Sequence, residues 1–118
     1  MPLAPLALSV YEVLRRRVPN LRPELAYSQL VEMLPAPFNN LDPDSDMLAG
    51  ALGELVTACR ARNLAAISAM VVRFRERVPG PGYYPMAHPD VADDDAERMV
   101  AWGIELQKVR STTYPPTL

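Results

Sequence analysis

Few side chains in this 118-residue chain have a type and spacing that could do chemistry, and most of them point away from catalysis. The single cysteine, Cys59, and the single histidine, His88, lie far apart, whereas a metal needs several ligands gathered at one point. Cys59 falls on an apolar stripe of helical spacing, where a thiol packs as a small hydrophobe. His88 has no serine or cysteine at a spacing that would make a nucleophile–base pair. The glycines of Pro79-Gly80-Pro81-Gly82 alternate with prolines, which lack the amides a phosphate loop must present. No enzymatic reaction, cofactor, metal or small-molecule substrate is expected.

The charged side chains offer more. Residues 90–97 carry five carboxylates, Asp90, Asp93, Asp94, Asp95 and Glu97, with no basic residue among them. Their spacing fits no EF-hand loop and suits a solvated helix start, where the dipole favours negative charge. As a surface they could meet a basic protein. Arg73, Arg75 and Arg77 alternate along an expected strand and so would line one side of it, following a phosphate backbone. Arg15, Arg16 and Arg17 fill the last turn of a helix, a place that favours cations without any ligand. Ordinary solubility charge is the competing explanation for the acidic run and the alternating arginines alike.

The bulk composition sets the frame for these candidates. One domain spanning residues 1–118 is expected, and 49% apolar residues argue against disorder. The net charge of −2 gives none of the basic excess usual in a nucleic-acid binder. Eleven arginines against one lysine, with many alanines and prolines, suggest a GC-rich bacterial coding sequence. The N-terminal MPLAPLALSVYEVL lacks a positive start and is broken by prolines, so it does not read as a signal peptide. No run reaches the ~18 apolar residues of a membrane span. A cytoplasmic location with no membrane partner is the expectation.

The elements that must position these residues are organised around residues 47–74, MLAGALGELVTACRARNLAAISAMVVRF. The first half repeats apolar residues at helical spacing, and residues 67–74 form a short, almost continuous apolar run read as a buried strand. Before it, a helix capped by Ser9 and Glu12 is expected to end at Pro19, with an extended lead over residues 1–8. A second helix is expected from Ser28 to Pro35. Asp42 and Pro43 are placed to start the third helix, and Asn63 to end it in the left-handed conformation. Leu52 is expected on its buried face, and Gly50 and Gly53 against a neighbouring backbone such as Gly103. The strand over residues 67–74 and a short returning strand at Tyr83 and Tyr84 read as a β-hairpin closed by a long proline-rich loop. The last helix should bury Met99, Trp102, Gly103, Leu106 and Val109, and an extended tail covers residues 111–118. The fold class expected is therefore α+β: a mainly helical domain of three helices, a β-hairpin and a C-terminal helix.

That order resembles a winged helix. The pieces YSQLVEML, LGELVTACRARNL, ISAMVV and PGPGYY, across residues 27–84, are also similar to a loose group of small bacterial domains. His88-Pro89-Asp90 resembles the signature of J-domain cochaperones, but the basic helical hairpin that surrounds it in that family is missing. The third helix departs from a DNA-reading winged helix at its first turn, where Asp42, Asp44 and Asp46 would repel phosphates. The departure turns the reading toward protein binding. Small, mildly acidic bacterial proteins without an active site look like immunity or antitoxin proteins, those of contact-dependent growth inhibition among them. Such a resemblance implies a protein that neutralises a cognate toxin, for example a nuclease, through an acidic surface. The alternatives are a winged-helix-like nucleic-acid-binding regulator using the arginine hairpin, or a phage-encoded inhibitor of a larger enzyme.

Overall fold

A computed structural model describes residues 3–118; Met1 and Pro2 of the expected N-terminal lead lie outside the described residues. The chain is mainly helical with two very short strands. In order it forms α1 (Pro5–Arg17), β1 (Leu25–Ala26), α2 (Tyr27–Glu32), a 3-10 turn at Phe38–Asn40 and α3 (Asp46–Ala61). A second 3-10 turn (Ile67–Met70), β2 (Val71–Val72), α4 (Tyr83–Ala87) and α5 (Asp95–Ser111) complete it.

Residues 65–72 run through the middle of the molecule, and all eight are buried. The sequence places residues 67–72 inside correctly, but Phe74, expected to point inward with Val72, is 66% exposed, and the conformation differs from a strand over residues 67–74. Four residues coil as a 3-10 turn, with Ala69 N–H donating to Ala66 O at 3.0 Å, and only Val71 and Val72 are extended. The two strands pair in parallel, Leu25 with Val71 and Ala26 with Val72. α1 and α3 pack against each other, and both pack on the 3-10 turn; α5 packs on that turn as well.

The expected β-hairpin is not formed. After Val72 the chain folds back on itself, Arg73 N–H donating to Val78 O and Arg77 N–H to Arg73 O. Pro79 and Pro81 have no N–H to continue a ladder. Tyr83 and Tyr84 then open α4 instead of a returning strand, with Pro85 in its first turn, where a missing amide costs nothing.

Helix boundaries also shift. α1 begins four residues before Ser9, because Pro5 suits the first turn and Ala4 N–H donates to Glu54 Oε2 of α3 at 2.7 Å. The lead is therefore helical from residue 5. α2 begins at Tyr27, and Gln29 Oε1 accepts from Ala26 N–H at its start. α3 is capped by Ser45, whose Oγ accepts from Leu48 N–H; Asp42 instead closes a turn by accepting from Asp44 N–H. Asn63 ends α3 with φ of 58°, the left-handed conformation expected of it.

No backbone approaches the helix glycines. A Cβ on Gly53 would meet the Met86 side chain, and nothing lies within 4 Å of one on Gly50 or Gly103. The tail after α5 is extended but anchored. Tyr114 is buried with its ring edge-on to Tyr11, and the Tyr11 hydroxyl donates to Pro115 O.

On α3 the fully buried leucines are Leu48 and Leu55, while Leu52 is half-buried at the surface of a cleft. Leu55→Ala should therefore cost about 2–5 kcal/mol in urea unfolding, and Leu52→Ala distinctly less. Equal losses at the two positions would refute this assignment of the inner face.

Candidate functional site

The acidic candidates lie in the first turn of α5 and just before it, and the orientation of this helix is set from inside. Buried residues 65–72 cannot hydrogen-bond to water, so their free backbone groups need protein partners. Three side chains supply them. Trp102 Nε1–H donates to Ala69 O at 2.8 Å. The Tyr114 hydroxyl donates to Ala65 O at 2.6 Å. Glu105 Oε2 accepts from Ala66 N–H at 2.7 Å.

Glu105 is only 4% exposed, and nothing in the sequence pattern singled it out. Its second partner is Arg60 of α3, whose Nη1 lies 2.9 Å from the same oxygen. Arg60 Nη2 also donates to Ala87 O, tying α4 into the cluster. Burial pushes the Glu105 carboxyl up, but the Arg60 guanidinium and the Ala66 amide outweigh it and hold the group below its ordinary value. Beside it the Tyr83 hydroxyl lies 2.9 Å from His88 Nε2. Burial raises the tyrosine and lowers the histidine, so both are neutral at pH 7 and the hydroxyl can donate to the ring. This cluster fixes helices; it leaves His88 half-buried and Cys59 fully buried and free. Burial pushes the Cys59 thiol up, away from the reactive thiolate. Among the described residues no group of three His, Cys, Asp or Glu converges on a metal position.

With Arg98, Trp102, Glu105 and Val109 turned inward, the buried face of α5 is rotated by roughly 60° from the expected one. Met99 is consequently exposed rather than buried, and Gly103 and Leu106 lie at the edge. The opposite face is apolar. Val100 is 62% exposed and Ile104 53%, and with Val91 and Ala96 they floor a shallow groove that Asp90 and Glu97 also line.

The five carboxylates gather at this groove's end of the helix, with different local duties. Asp94 caps α5, its Oδ1 accepting from Glu97 N–H at 2.9 Å. Asp93 Oδ1 pairs with Arg98 Nη2 at 3.2 Å, and that guanidinium also lies over the Tyr84 ring. Asp90, Asp95 and Glu97 are exposed and make no ion pair among the described residues. Arg73, Arg75 and Arg77 are likewise exposed, but they sit on the folded-back turn rather than along a strand, and Arg77 takes a φ of 58°. Arg17, from the first cluster, donates to Pro23 O and Glu24 O and so pins the loop after α1.

No family model matches the chain, and no curated protein or solved structure shows significant similarity to it. No helix among the described residues is long and apolar enough to cross a membrane.

The lowered Glu105 carboxyl sets a pH dependence. A depressed acid stabilises the fold fully above its unfolded pKa, near pH 4–5, and loses that contribution as pH falls through its folded pKa. Glu105→Gln should cost roughly 1–3 kcal/mol in urea unfolding at pH 7. The gap to wild type should narrow as pH falls below the unfolded pKa and through the lower folded one. A gap that is independent of pH would show that ionisation of Glu105 contributes nothing.

Proposed function

We propose that this chain is a non-enzymatic protein-binding module of the immunity or antitoxin type, which docks a cognate toxin on the outer face of α5. One observation carries this reading: an unpartnered apolar stripe, Ala96, Val100 and Ile104, lies beside two unpaired carboxylates, Asp90 and Glu97, with a third, Asp95, exposed in the first turn of the same helix. Apolar side chains exposed together on one helix face are characteristic of interaction surfaces. Charges around such a patch steer encounter and select partners more than they add affinity. The complement of this surface is an apolar projection set in a basic surround, as a nuclease toxin would present at the rim of its nucleic-acid cleft. Inhibition would then be competitive occlusion: the carboxylates occupy the charge that the toxin uses for phosphates.

The arginine surface supports a nucleic-acid reading less well. Without a hairpin, Arg73, Arg75 and Arg77 form no straight row to match a phosphate backbone. Asp46 in the first turn of α3 and Asp44 just before it are also exposed.

The test separates the two surfaces. Wild-type protein and the variants Asp95→Lys/Glu97→Lys and Val100→Asp are used as bait in lysate of the native host, with and without nuclease. All these positions are exposed and none caps a helix, so circular dichroism should be unchanged. The expected result is nuclease-resistant capture of a basic protein by wild type, lost in both variants. That protein should arrest growth when expressed alone and not when co-expressed with this chain. Affinity should fall as salt rises, reflecting slower association. Capture that depends on nucleic acid, or that survives both variants, would refute the assignment.

A further inference from the structure

A second feature of the molecule lies away from the acidic face and is unused by the reading above. Between α3, α4 and the loop after β2 is a cleft of about 350 Å³. That volume falls within the range of small-molecule sites, roughly 300–1,000 Å³. Leu52, Val56 and Met86 give it apolar walls. Gly53 keeps the wall shallow, since a Cβ there would sit 3.3 Å from Met86 Cε.

Among the polar side chains of this lining, Ser68, Tyr27 and Arg73 each have hydrogen-bonding capacity left over. Ser68 is only 4% exposed, yet its Oγ has no hydrogen-bond partner. A buried hydroxyl in that condition calls for a partner from outside the protein, because burial has removed its water. The Tyr27 hydroxyl accepts from Gly80 N–H at 3.0 Å, and its own proton has no acceptor among the described residues. Burial pushes this hydroxyl up despite the Gly80 amide and the nearby Arg73, so it stays protonated and able to donate. Arg73 makes no ion pair among the described residues. Two hydroxyls and a guanidinium form a donor-rich set, which calls for an acceptor-rich head. A single cation balances a single negative charge. Asp44 also lines the cleft and discourages an anion at the α3 end, which leaves the head to the side holding Tyr27 and Arg73.

We propose that this cleft binds a small amphipathic carboxylate, its head held by Arg73, Tyr27 and Ser68 and its apolar body laid over Leu52, Val56 and Met86. The chain acts on it as a receptor, and no bond is made or broken.

Titration of the ¹⁵N-labelled protein with octanoate, octanol and octylammonium tests this by NMR. Octanoate should give saturable shifts centred on the amides of Gly53, Ser68, Gly80 and Gly82. Octanol should bind about tenfold more weakly, having lost the charge-assisted contact. Arg73→Gln, a change at an exposed position, should remove octanoate's advantage over octanol while leaving the spectrum folded. Ser68→Leu fills the cleft from below and should abolish binding of both; if it fails to fold, Leu52→Trp fills the cleft from a half-buried position. The proposal is overturned if octanoate shifts appear instead around Val100 and Ile104, or do not saturate. Equal affinity for octanoate and octanol, preference for octylammonium, or an unchanged octanoate affinity in Arg73→Gln would overturn it as well.

Discussion

A buried stretch of backbone outside regular structure must find its hydrogen bonds away from water, and residues 65–72 impose that constraint on the rest of this fold. Two strand pairs with β1 and a 3-10 turn meet part of the demand. The remainder falls on side chains that arrive from a distance: Glu105 and Trp102 on α5, and Tyr114 beyond it. Leaving one buried amide unpaired costs about 1–3 kcal/mol, a large share of the margin of a domain this size. The packing of α5 therefore follows from hydrogen-bond supply as much as from apolar burial.

That origin explains why α5 is so unusual an amphipathic helix. Its inner face presents a carboxylate, an indole N–H and one valine, while its outer face shows methionine, valine and isoleucine. The polar groups are needed inside, so the apolar residues of the helix are left for the outside. Under the proposed function a protein partner would cover this exposed apolar face, and the acidic first turn beside it would favour basic partners.

Parts of this arrangement were legible in the sequence. The burial of residues 67–72, the C-terminal end of α3 and the left-handed Asn63 follow from apolar periodicity and capping chemistry alone. The face of α5 did not, because a glutamate reads as solvent-exposed and its partner Arg60 is 45 residues away. A signal was present, however. An apolar run too short for a helix, with no second strand in the sequence to pair along its length, implies buried polar side chains elsewhere. Trp102 and Glu105, three apart and followed by Val109, could have been recognised as that supply. The hairpin was inferred from alternating arginines and Pro-Gly steps, but alternation in exposed charge does not establish a ladder, and prolines remove the donors that one needs. The cleft was hidden for a different reason. Ser68 lies in an apolar run, Tyr27 begins a helix and Arg73 follows a strand, so only tertiary structure brings them to one wall.

The anchoring of the core from the far end of the chain also has a consequence for how the protein comes into being. Tyr11 reaches Pro115, Ala65 is held by Tyr114 and Ala66 by Glu105, so contacts that complete the interior join positions as much as 104 residues apart. Closing such long loops is entropically slow and is rewarded only at the end. During synthesis, the first hundred residues can form α1, α3 and the β1–β2 pairing but lack the side chains that bond Ala65, Ala66 and Ala69. Native structure should therefore appear late and in one step, after the last helix has emerged, with the nascent chain dependent until then on whatever shields its unsatisfied centre.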